Sequence, residues 1–265
     1  MPTNLSGLTQ YYDDKGPQNS IPIIFIHGFP FDSTIWQSQV NVIPDRFRSI
    51  TYDVRGHGQS EVGSTPYSLE FFVDDLFALI KKLELDQPIL CGLSMGGYIA
   101  LRAFERWPAL FRALILCDTR SEGDSNQAKI NRANAIKTIR EFGNGKYAED
   151  SVKNLFWEGN ANNRIAEINN TRQMIEKTSS ETLCATLMAL AARTDTTEVL
   201  ADIKVPVLIM VGEYDKITPP IAAESLYEAI QDSELVVIKN AGHLSNLENP
   251  GEFNEALVEF LERLK

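Results

Sequence analysis

Cysteine is scarce in this 265-residue chain, with only Cys91, Cys117 and Cys184. Their odd number and the lack of any CxxC pair argue against both a disulfide framework and a zinc cluster. Cys91 and Cys117 lie in apolar runs and read as small buried hydrophobes. Long apolar runs are missing as well. None approaches the roughly 18 residues that a membrane-spanning helix needs. The opening residues, Met1 to Gly7, lack the basic stretch and apolar run of a secretory leader, so the cytoplasm is the expected location. Positive charge is outnumbered, 25 Lys and Arg against 36 Asp and Glu, for a formal net charge of −11. Such a surface repels nucleic acid and anionic lipid, so neither is an expected partner. There is no GxGxxG, Walker or HExxH pattern, and neither cofactor nor metal is expected.

What remains is a chain that is 43% hydrophobic and long enough for one large core. Short apolar runs recur at Ile21 to Ile26, Arg48 to Val54, Pro88 to Leu93, Ala113 to Cys117, Val205 to Val211 and Leu235 to Ile238. Continuous rather than alternating, they read as strands of a parallel sheet buried on both faces. Helical periodicity lies between several of them. Leu69, Phe72, Val73, Leu76, Leu79, Ile80 and Leu83 share one face, with Ser68 as N-cap. The pattern predicts an α/β fold with helices on both faces of a mostly parallel sheet. It breaks after Asp118. From about Asn126 to Ala192 only helical segments are legible, such as Gln127 to Phe142 and Glu181 to Ala192, with a break between Gly143 and Gly145. Residues 121–199 therefore read as a helical cap inserted into a core formed by 1–120 and 200–265.

The chemistry centres on Gly92-Leu-Ser94-Met-Gly96-Gly97, between an apolar strand and a helix. A nucleophile on so sharp a turn needs small flanking residues, and Ser94 at the helix N-terminus faces free N–H groups. A serine hydroxyl needs a base near neutral pH. His243, just past the run ending at Ile238, sits where a loop at the carboxyl edge of the sheet can reach Ser94. Because the base must be neutral, activity should rise with pH through a histidine pKa near about 6.5. Asp215, just past the Val205 to Val211 run, is the expected partner of the imidazole, with Glu213 and Asp118 as rivals. Two N–H donors should stabilise the oxyanion: that of Met95, and one from His27-Gly28-Phe29-Pro30, where Phe29 is favoured because Pro30 has none. His27 and His57 read as residues that order loops.

Together, His27-Gly28-Phe29-Pro30, Asp53-Val-Arg-Gly-His57-Gly58, the Ser94 turn, Gly212-Glu-Tyr-Asp215 and Gly242-His243 resemble the α/β-hydrolase superfamily. Within it, Cys91 to Gly97 and Gly242 to Pro250 look like small bacterial carboxylesterases and 3-oxoadipate enol-lactonases. The resemblance implies a serine hydrolase acting on a small ester. The alternatives are a lactonase for a carboxylated ring and a slow-turnover ligand receptor of the same fold. In such enzymes the cap sets substrate choice. Trp157, Leu187 and Met188 are its candidate pocket residues, with core packing the default role of each, and Ile217 and Leu244 are candidates nearer the reacting groups. A clamp for a carboxylate could come from Arg132, Arg140, Arg164, Arg172 or Arg193. The expected partner is a small ester or lactone, and a homodimer is compatible with the sequence.

Overall fold

The computed structural model describes residues 1–5 and 7–264. Among these, eight strands form one sheet in the order β1-β2-β4-β3-β5-β6-β7-β8. They are β1 (Pro2–Leu5), β2 (Leu8–Lys15), β3 (Ile21–Ile26), β4 (Phe47–Tyr52), β5 (Ile89–Leu93), β6 (Leu114–Cys117), β7 (Val207–Gly212) and β8 (Ser233–Ile238). From β4 to β8 every neighbouring pair is parallel. Each expected apolar run thus supplies a parallel strand, displaced by no more than a few residues.

The β1–β2 hairpin was not anticipated. Its strands are antiparallel to each other, and β2 is antiparallel to β4. β2 reads Leu-Thr-Gln-Tyr-Tyr-Asp-Asp-Lys and is mostly half-buried, so it lacks the continuous apolar run that marks the central strands.

Helices cover both sheet faces: α1 (Gln37–Val40), α2 (Leu69–Lys82), α3 (Met95–Arg106), α4 (Asn126–Leu155), α5 (Ile165–Lys177), α6 (Ser180–Ala191), α7 (Pro220–Ala229), α8 (Ser245–Glu248) and α9 (Pro250–Arg263). Ser68 caps α2 as expected, accepting the Phe71 N–H. Alternation along β3 explains why its run is apolar throughout. Ile24 and Ile26 pack with α2 and α3, whereas Ile23 and Phe25 pack on the opposite face with Phe253 and Leu257 of α9. Each such buried side chain contributes about 1.5–3 kcal/mol. The buried cysteines are all free.

Helices α4, α5 and α6 lie between β6 and β7. The backbone break in α4 falls at Gly143 alone, at φ 82° and ψ 173°, and helix resumes through Gly145. Only glycine adopts that conformation readily. Ile139 of α4 packs on Leu183 and Leu187 of α6. Among the described residues no helix is long and apolar enough to cross a membrane.

Candidate active site

Strand β5 ends at Leu93 and α3 begins at Met95, leaving Ser94 to make the turn at φ 52° and ψ −113°. That region suits glycine, and a serine held there stores strain. The turn closes only because its neighbours lack side chains. A Cβ on Gly92 would lie 2.3 Å from the Gly96 carbonyl oxygen, and one on Gly96 would lie 2.1 Å from that of Ile26.

Ser94, His243 and Asp215 meet in space. Ser94 Oγ lies 2.9 Å from His243 Nε2. His243 Nδ1 lies 2.8 Å from Asp215 Oδ2. Asp215 also accepts the N–H groups of Ile217 and Thr218, at 2.8 and 3.0 Å, and the Thr218 hydroxyl at 2.7 Å. Its carboxylate is therefore saturated and fixed. All three residues are buried.

Burial disfavours a charged imidazole, yet the Asp215 charge and hydrogen bond outweigh it and hold the His243 pKa above the ordinary value. The direction of this shift adds to the expectation of a histidine pKa of about 6.5. Burial likewise opposes the Asp215 charge, but attraction to His243 and the bonds from His243 and Thr218 keep its pKa below the usual range.

The rival carboxylates are engaged elsewhere. Glu213 is exposed and accepts the Asn240 N–H. Asp118 is fully buried, accepting the Gly212 N–H at 2.8 Å and the Ser245 hydroxyl at 2.5 Å. Burial, reinforced by the Asp215 charge, pushes the Asp118 carboxyl well above its usual range.

The Phe29 and Met95 residues both line the cavity over Ser94. Among the described residues the Phe29 N–H has no acceptor, and that of Met95 is the first of α3, with no carbonyl behind it within the helix. His27 Nε2 accepts the Val54 N–H, and His57 Nδ1 lies 3.0 Å from the Arg55 carbonyl oxygen. Burial lowers their pKa values to about 4 and about 3, so both stay neutral and brace their loops.

The cavity measures about 510 Å³ and includes Leu187 and Ile217 in its walls. The other expected pocket residues lie elsewhere. Met188 follows Leu187 on α6 and therefore points about 100° away; it is half exposed and borders a separate hollow with Thr65 and Pro66. Trp157 stacks on Tyr214, with ring centroids 4.6 Å apart and planes 9° from parallel. Leu244 turns under its neighbour into the core around Phe253.

The cavity is also lined by Arg120, Arg132, Arg193 and Lys216, opposed by one carboxylate, Asp124. Arg132 and Arg193 both ion-pair with Asp124. Of the other arginines considered for a clamp, Arg164 and Arg172 pair with Glu167 and Glu176, and Arg140 borders the separate hollow. Arg120 and Lys216 were missed. Arg120 donates to the Ile217 carbonyl at 2.9 Å, and among the described residues neither has a carboxylate partner. Their one sequence signal is position, a few residues past the ends of β6 and β7, where open α/β sheets bind ligands. Among the described residues no group of three or more His, Cys, Asp or Glu side chains is placed to hold a metal ion.

A strand, a serine turn and a helix, with an imidazole and a carboxylate carried on later strand ends, define the α/β-hydrolase class. The profile of the α/β-hydrolase fold family matches residues 21–250, and the chain belongs to that family. A thermophilic esterase from Thermogutta terrifontis, solved with malate bound, is 35% identical with a TM-score of 0.92, covering 99% of this chain and 97% of that one. The enol-lactonase from Burkholderia xenovorans is 26% identical, also with a TM-score of 0.92, covering 99% of this chain and 100% of that one. 3-oxoadipate enol-lactonase 1 of Acinetobacter baylyi is 28% identical over 100% of this chain and 97% of its own length. Family and neighbours together support hydrolytic activity.

Proposed function

We propose that the chain hydrolyses small carboxylic esters through an acyl-Ser94 intermediate. The observation that carries this reading is the Ser94–His243–Asp215 hydrogen-bonded relay opening onto the cavity. His243 Nε2 takes the hydroxyl proton as Ser94 Oγ attacks the ester carbonyl, and the N–H groups of Met95 and Phe29 stabilise the oxyanion. The same imidazole protonates the leaving alkoxide. It then activates the water that cleaves the acyl-enzyme and regenerates Ser94. Ser94→Ala should lower turnover of a short aryl ester by several orders of magnitude. Turnover equal to that of the wild type in this variant ends the proposal.

The cations favour a second reading, in which the ester bond belongs to a lactone or ester that also carries a carboxylate. Arg120 and Lys216 are the cavity cations not already paired with Asp124, and they suit an anionic group on the substrate. Comparison of kcat/KM for an enol-lactone carboxylate and a neutral aryl ester decides between them. Strong preference for the neutral ester removes the second reading.

A further inference from the structure

We infer that Glu248 is a positioning residue that ties the seat of His243 to the docking of the cap, a role that rests on His243 being the general base. Glu248 ends α8, five residues past the histidine, and only 2% of it is exposed. Its two carboxylate oxygens serve different parts of the chain. Oε1 accepts the N–H of Gly242, the residue before the histidine, at 2.7 Å. Oε2 accepts the Trp157 N–H and the Asn160 side-chain amide, both at 2.9 Å and both just beyond α4 of the cap.

Three further contacts run in parallel. The backbone N–H of His243 itself donates to the carbonyl of Leu155, the last residue of α4, at 2.9 Å. Asn160 also donates to the Asn240 carbonyl at 2.7 Å. The Trp157 ring lies against Tyr214, the residue before Asp215. There is no slack at the crossing, since a Cβ on Gly242 would lie 2.7 Å from the Trp157 nitrogen. Segment 155–160 therefore touches the loops that carry both the imidazole and the carboxylate.

A carboxylate is the natural side chain for this junction. It only accepts, with lone pairs on both oxygens, and every group facing it here is an N–H donor. Displacement of the cap segment pulls on Gly242 and hence on the imidazole. The 2.9 Å reach from His243 Nε2 to Ser94 Oγ leaves little tolerance for such movement, because misplacement of about 1 Å can cost about a hundredfold in rate.

Glu248→Gln in the full-length chain tests this. Glutamine keeps the size, but one end becomes a donor, so one side of the junction must face donor to donor. The expected result is a fall in kcat of about tenfold to a hundredfold on a short aryl ester, with KM little changed. Well below the melting temperature, the downfield proton resonance of His243 Nδ1–H should also shift or broaden. Asn160→Ala, which removes a cap-side donor and leaves Gly242 bonded, should produce a smaller change of the same sign. Its combination with Glu248→Gln should lose less than the product of the single losses. A kcat within twofold of wild type and an unmoved resonance in Glu248→Gln overturn the inference, even if the melting temperature falls. Fully multiplicative losses overturn it too. If wild-type turnover proves independent of Ser94, the proposed function fails; the resonance then still reports whether Glu248 sets the imidazole.

Discussion

Arg120, three residues past the end of β6, donates to the carbonyl of Ile217 at 2.9 Å, so a cation from one strand end is held against the loop that carries Asp215. The guanidinium is near enough for its charge to oppose protonation of His243. An anionic group bound to it would lie within reach of the reacting atoms.

Arg120→Gln should therefore discriminate between substrates. Loss of a charge-assisted hydrogen bond costs about 1.5–3 kcal/mol, or about tenfold to a hundredfold in kcat/KM, for a substrate carrying a carboxylate. A neutral ester should change little when assayed well above the histidine pKa, where the lost influence on His243 no longer matters. Equal losses on both substrates would show that Arg120 supports the loop and not the ligand.

The pH response follows from the shifted relay. His243 acts as base only when neutral, and its pKa is raised, so kcat/KM should climb with pH along a limb lying above about 6.5. Stability responds in the opposite sense. The charged histidine's contribution is complete below its unfolded pKa of about 6.5 and is lost as pH rises through the folded value. That of Asp215 is present above its unfolded pKa of about 3.9 and is lost as pH falls through its lower folded value. Denaturant unfolding of wild type and His243→Gln should show a gap that narrows from mildly acidic to basic pH. A gap that widens contradicts the assignment.

The backbone at Ser94 offers a test independent of catalysis. Relief of its φ 52° conformation by Ser94→Gly should return about 1–3 kcal/mol of strain, against about 0.5–1 kcal/mol lost to glycine's freedom in the unfolded chain. Ser94→Ala keeps the strain. Ser94→Gly should accordingly melt a few degrees above Ser94→Ala, and scanning calorimetry on the two variants would measure this. A lower melting temperature for the glycine variant would mean that the turn is not strained.

The central strands were legible because burial on both faces favours unbroken apolar runs, as in Ile21 to Ile26, although β4 also buries Arg48, Ser49 and Thr51. Strands β1 and β2 were not, because the half-buried positions of β2 tolerate Thr9, Asp13 and Asp14, and even its fully buried Gln10 is polar. The convergence of Ser94, Asp215 and His243 on one edge of the sheet was legible because each lies within a few residues of a strand end or a tight glycine turn, where the topology fixes position. The cap walls were not. Leu187 lines the cavity and Met188 does not, although they are adjacent, because what separates them is the face of α6 turned toward the core. Arg120 and Lys216 carried no periodic signal at all. An isolated cation past a strand end reads as solvated until the opposite wall is known.

The sign of the cavity is opposite to that of the molecule around it. Four cations and one carboxylate line a hollow in a chain of net charge −11. An anion arriving from solution is repelled at long range and attracted only within about 8 Å at physiological ionic strength. Added salt should thus quicken its capture while loosening its grip once inside. The same acidic exterior repels any anion that has left the cavity, so the charge that delays entry also discourages return.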